Sequence, residues 1–137
     1  MENGKWKADQ NITISYLKIL MHKNDLEVRT RDFALRIVDL VERLPKSRSG
    51  DAVARQLIKS GTSIGANYRE ANRAQSKDDF IHKISIATKE ASETGFWLEI
   101  ITISAHLKTI GADELMNESR ELLAILTAIG KNTKNSL

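Results

Sequence analysis

Cysteine is absent from this chain, which removes disulfide frameworks, zinc ribbons and thiol chemistry together. One proline and seven glycines in 137 residues leave too few turn formers for a many-stranded sandwich or barrel, and favour a few long elements. No apolar run approaches the roughly 18 residues that a membrane span needs. The Met-Glu-Asn-Gly start also lacks the charged and apolar regions of a signal peptide. A soluble, cytoplasmic protein is therefore expected.

What is present suits one compact domain. Hydrophobic residues make up 41% of the chain and charged residues 28%, enough apolar material for a sizeable core and too much for a disordered chain. The net charge of +3 is unevenly spread. Residues 1–28 balance, residues 29–89 carry thirteen Lys or Arg against seven Asp or Glu, and residues 90–137 carry four against seven. The basic excess is thus confined to the middle of the chain, where it would attract a phosphate backbone or an acidic protein.

Hydrophobic spacing is helical throughout that region. Phe80, Ile84, Ala87, Ala91, Thr94, Leu98 and Ile101 alternate at gaps of four and three, which places them on one helix face. Ser76 followed by Asp78 and Asp79 gives this helix a hydroxyl cap and first-turn acids, and it is expected to run to about Leu107. An earlier helix carries Phe33, Ile37, Leu40 and Leu44, with Thr30 as its expected cap and Pro45 as its stop. A helix between them runs from Ser49 or Asp51 to Ala74, with Val53, Leu57, Ile64, Tyr68 and Ala71 inward. The last begins near Asp113 and uses Leu115, Ser119, Leu122, Leu126 and Ile129. Short connections join antiparallel neighbours, so the reading is an all-α, up-down-up-down antiparallel four-helix bundle over residues 30–134. Residues 1–29 form an N-terminal extension with a short helix near 13–22.

Chemistry-bearing patterns are few. At about 100° per residue, Arg48, Arg55, Lys59, Arg69 and Arg73 share a sector roughly 80° wide, opposite the apolar face of the second helix. Lys46 and Lys77 extend this row from the flanking loops. Counterion release and bidentate arginine–phosphate pairing make such a stripe a nucleic-acid surface; the alternative is a solvated face laced by i,i+4 charge pairs. Little aromatic interleaving accompanies it, so base stacking is a weak option. Gly61 and Gly65 each cost about 1 kcal/mol relative to alanine inside a helix, and close approach by another helix is the expected compensation. No strand precedes them and no Gly-Lys-Ser/Thr ending follows, which argues against a phosphate-binding loop.

Metal and nucleophile chemistry find little support. Carboxylate-bridged metals in bundles use Glu-x-x-His on two helices, and the nearest match is Asp79-Phe80-Ile81-His82 with a shortened acid. His22 and His106 have no carboxylate three residues earlier. Glu70, Glu90 and Glu93 are better placed for cross-helix hydrogen bonds or the surface. The serines have no evident His–acid partner, so no catalytic residue, metal or cofactor is expected. The strongest interaction signal is apolar: Phe96, Trp97, Ile100 and Ile103 spread around the third helix beyond its core seam, which favours self-association. Cover by the extension or the fourth helix is the alternative.

Several of these motifs occur in a recognisable order. Asp32-Phe33-Ala34-Leu35-Arg36-Ile37-Val38 comes first, then Ser60-Gly61-Thr62-Ser63-Ile64-Gly65-Ala66-Asn67 with Glu70-Ala71. Ser76-Lys77 with Asp79-Phe80-Ile81 and Lys83 follows, then Lys89-Glu90-Ala91 with Glu93-Thr94. This series, over about residues 30–107, resembles the four-helix-bundle family of proteins encoded in intervening sequences of bacterial 23S ribosomal RNA genes. The resemblance implies a small cytoplasmic bundle that assembles as a homopentamer and has no catalytic activity. A related group, the accessory variability proteins of diversity-generating retroelements, comprises basic pentamers that bind nucleic acid and a reverse transcriptase. The expectation is a non-enzymatic scaffold for RNA or other nucleic acid; the competing one is an adaptor docking an acidic partner such as a reverse transcriptase. The first 28 residues lie beyond the usual start of the family.

Overall fold

The computed structural model describes residues 23–136 and is helical, with no strand among them. Four helices follow one another: α1, Lys23–Arg43; α2, Arg48–Ala71; α3, Lys77–Ile103; and α4, Ala112–Lys134. The expected helix near 13–22 lies outside the described residues.

The sequence spacing accounts for each buried stripe. In α1 the buried positions are Leu26, Thr30, Phe33, Ile37 and Leu40, with Leu44 just beyond the helix. Thr30 does not cap α1, contrary to expectation. It lies fully buried one turn after Leu26, and its hydroxyl donates to the carbonyls of Leu26 (2.9 Å) and Glu27 (3.1 Å). Leu26 continues the apolar stripe by one more turn, so residues 23–29 belong to the first helix and not to the extension.

α2 begins earlier than expected because Ser47 takes the cap, its hydroxyl accepting from the Gly50 amide at 3.0 Å. It ends at Ala71, three residues short of expectation, in a turn over residues 72–73. Ser76 caps α3 by accepting from the Asp79 amide at 3.1 Å. That helix stops at Ile103, before Leu107, because Ser104 turns to an extended conformation and its hydroxyl accepts from the Leu107 amide at 3.2 Å. Its 27 residues span about 40 Å. Gly111 opens α4 at φ 97°, a left-handed backbone that glycine adopts without Cβ strain.

Helix α3 packs extensively against both α2 and α4, and α1 rests mainly on α2. The α1–α4 seam is thinner and is closed by charge. Arg29 donates from Nε and Nη2 to both carboxylate oxygens of Glu118 (2.6 and 2.7 Å) and from Nη2 to Glu121 (2.7 Å). These bonds hold its guanidinium even more firmly protonated than usual, against the opposing effect of burial. Polar groups in the core are satisfied locally. Thr94, Ser119 and Thr133 donate to carbonyls of their own helices, Glu90, Met116 and Ile129.

Candidate nucleic-acid interface

Helix α2 carries two faces with different work. Its inner face buries Val53, Leu57, Ile64, Tyr68 and Ala71. Gly61 and Gly65 lie where α1 crosses. A Cβ on Gly61 would stand 2.9 Å from both Cγ atoms of Ile37, and one on Gly65 would stand 3.0 Å from Thr30 Oγ1. The glycines thus bring α1 and α2 together, which fixes the opposite face of α2 toward solvent.

The outer face presents the basic row. Lys46, Arg48, Arg55 and Lys59 are exposed, and none is in an ion pair with the described residues. Rising about 1.5 Å per residue, Arg48 to Lys59 covers about 17 Å of open cationic surface. Asp51, in the first turn, complements the helix dipole.

The second half of the row is more engaged. Arg69 Nε lies 3.7 Å from Glu27 Oε1 on α1, and the other Glu27 oxygen accepts from Asn72 Nδ2 at 2.7 Å. Arg69 keeps half of its side chain exposed, so this ion pair is worth about 1 kcal/mol or less. Nearby, burial pushes the Tyr68 phenol up to about 12, partly offset by a hydrogen bond with Asn72. Arg73 is exposed and donates to the Arg69 carbonyl at 3.1 Å.

Lys77 does not prolong the row. Its ammonium donates to the carbonyl of Ser136, beyond the end of α4, and so is drawn to another side of the bundle. Glu70, an acid beside the row, pairs with Lys83 of α3 at 2.7 Å, which offsets its negative charge.

The apolar cluster of α3 divides similarly. Phe96 and Ile103 are 52% and 72% exposed, whereas Trp97 and Ile100 pack partly against the core. Trp97 meets Phe96 edge-on at 5.0 Å and donates from Nε1 to Glu93 at 3.1 Å. His82 is exposed, His106 contacts Ser47 at 3.2 Å, and His22 lies outside the described residues. No group of three His, Asp or Glu among the described residues is placed to hold a metal ion. No helix among them is long and apolar enough to cross a membrane.

The basic residues that sequence reasoning missed lie elsewhere, along the α3–α4 seam: Lys89, Arg120, Lys131 and Lys134, all exposed. Their signal was present, because Arg120, Thr127, Lys131 and Lys134 fall on one flank of α4 at helical spacing. It was hidden by the negative sum over residues 90–137.

The architecture is that of a four-helix bundle with a cationic outer helix face. The profile of the 23S rRNA-intervening sequence protein family matches residues 23–128, and the chain belongs to that family. A solved relative, described as a protein with unknown function from the S23 ribosomal protein family of Bacteroides thetaiotaomicron VPI-5482, has 39% sequence identity and a TM-score of 0.72. The likeness covers 80% of this chain and 97% of that one. No match is found among the curated proteins.

Proposed function

We propose that this protein is a non-enzymatic, cytoplasmic, oligomeric scaffold that binds RNA through the outer face of α2. The observation that carries the reading is the row Lys46, Arg48, Arg55 and Lys59, exposed and unpaired among the described residues, continued by Arg69 and Arg73. Contacts between helix ends support an up-down-up-down order. Asn72 after α2 reaches Glu27 near the start of α1, and Lys77 at the start of α3 reaches Ser136 beyond α4. A homopentamer is the assembly that the family resemblance implies, and the exposed Phe96 and Ile103 supply apolar surface for it.

The test is salt-dependent binding to 23S ribosomal RNA fragments. Each phosphate contact contributes about 0.7–0.9 to the slope of log K against log salt, so charge reversal of Arg55 and Arg73 should flatten the slope by about 1.4–1.8 or more and weaken binding at low salt. Wild-type protein that ignores RNA and DNA at low salt overturns the reading. A second reading, docking of an acidic protein such as a reverse transcriptase, draws on the same face, which lacks aromatic side chains for stacking on bases. Binding to such a protein without binding to RNA would select it.

A further inference from the structure

The α3–α4 seam is a groove with an apolar floor and a basic rim. One hollow, of about 320 Å³, is floored by Ile81, Ile84 and Leu126 and edged by Lys89, Lys131 and Lys134. A second, of about 290 Å³, continues along the seam past Gly95, Phe96 and Leu123, with Arg120 and Glu99 at its edge. From Ile81 to Glu99 the groove runs for about 27 Å. Gly130 lines the first hollow and Gly95 the second, so no side chain fills the seam at either point. Lys89, Arg120, Lys131 and Lys134 are exposed and have no ion-pair partner among the described residues. Glu99 is the one acid among the described residues that line either hollow. Asp78, one turn before Ile81, lies in the first turn of α3 and complements its dipole.

The two features together select an occupant. Phosphates of a nucleic acid would use the rim but gain nothing from Ile81, Leu123 and a half-exposed Phe96. The described helices of this chain offer no acidic apolar face. The outer side of α1 mixes Arg31, Arg36 and Arg43 with its acids, and Glu118 and Glu121 of α4 are held by Arg29. An extended peptide would lay unpaired amides and carbonyls on the apolar floor, and no strand edge among the described residues could receive them. A helix satisfies its own backbone, and a third rod fits the furrow between two packed ones.

We propose that the α3–α4 groove is a docking site for an acidic amphipathic helix of another protein. A helix of about 18 residues spans its length. Apolar side chains of that helix at i, i+3, i+4 and i+7 cover the floor, where Phe96 supplies an aromatic anchor. Its Asp and Glu residues flank this stripe, more of them toward α4, which carries Arg120, Lys131 and Lys134. Charge complementarity of this kind sets orientation and rejects basic helices. The inference concerns a face other than the α2 row and does not depend on the RNA reading.

The test is fluorescence anisotropy, with the full chain titrated into a labelled, designed helical peptide of about 18 residues. The peptide carries leucines at the stated spacing and glutamates on both flanks, and its control carries lysine in place of every glutamate. The acidic peptide should bind saturably and at least about tenfold more tightly than the control. K131E/K134E should weaken it by about tenfold or more, as should Phe96→Ala, whereas R55E/R73E on α2 should leave it unchanged. All these side chains are exposed, and circular dichroism verifies the helix content of each variant. No saturable binding of the acidic peptide, or binding that survives K131E/K134E, overturns the proposal. Loss in R55E/R73E alone moves acidic docking to the α2 face and overturns it as well. If K131E/K134E weakens RNA binding while the acidic peptide stays unbound, the groove is a nucleic-acid surface and the proposal fails. Sedimentation in which that reversal splits an oligomer without changing peptide binding assigns the groove to a contact between copies, with the same result.

Discussion

Two helix-interior glycines should respond in opposite directions to the same substitution. Gly61→Ala places a methyl 2.9 Å from both Cγ atoms of Ile37, a residue with no exposed surface. Overpacking a tight core costs about 1–3 kcal/mol, and the better helix propensity of alanine returns about 1 kcal/mol, leaving a net loss of about 0–2 kcal/mol. Gly95→Ala meets only the Ser119 hydroxyl at 3.3 Å, so the propensity gain of about 1 kcal/mol should dominate. The two variants should therefore differ by about 1–3 kcal/mol, or roughly 4–12 °C in Tm for a domain of this size. Urea and thermal unfolding followed by circular dichroism measure this, at one fixed protein concentration because assembly shifts apparent stability. Gly61→Val should fall further, since its branches enlarge the overlap. If Gly61→Ala is as stabilising as Gly95→Ala, α1 does not press on α2 at Ile37 and the account of the paired glycines is wrong.

Tyr68 should make stability fall at high pH. Its folded-state value is raised to about 12 from 10.0, so its contribution is complete below pH 10 and is lost as pH rises through 12. The loss should approach about 2–3 kcal/mol and be missing in Tyr68→Phe, as unfolding across pH 8–12 would reveal. Arg29→Met should cost about 1–2 kcal/mol, and a double-mutant cycle with Glu118→Gln should return a coupling of similar size; independent, additive effects would show that the seam does not depend on this pair. Gly111→Ala should destabilise by about 1–2 kcal/mol through its left-handed backbone, with Gly111→Asn milder, in the same unfolding assay.

The core was legible because one apolar period ran unbroken through each helix. Phe80 to Ile101, Val53 to Ala71 and Leu115 to Ile129 are buried where the spacing put them. Helix ends were less legible because hydroxyl side chains can serve more than one role. Thr30 has the composition of a cap yet bonds back to Leu26, and what distinguishes the two is Leu26 itself, four positions earlier on the same stripe. Ser104 shows the reverse: an apolar pattern reaching Leu107 suggested a longer helix, and a single hydroxyl capturing the Leu107 amide ended it.

Charge was the harder part, since a sum along the chain mixes faces that a helix keeps apart. In α4 the acids Glu118 and Glu121 turn toward α1, where Arg29 binds both. Arg120, Lys131 and Lys134 line the opposite seam. A segment with a negative total thus presents a cationic groove, because two of its acids turn toward α1 and pair with Arg29 while its basic side chains line the α3–α4 seam. On α2 the reverse holds for Glu70, whose charge Lys83 cancels, so the outer row is more basic than its residue count implies. The electrostatic character of each surface is set by which charges find internal partners, and at distances near a Debye length of about 8–10 Å only the unpaired ones reach an incoming molecule. Binding by this protein should therefore track the unpaired cations Arg55, Lys59, Lys131 and Lys134, each assigned by its helix face, and not the net charge of any stretch of chain.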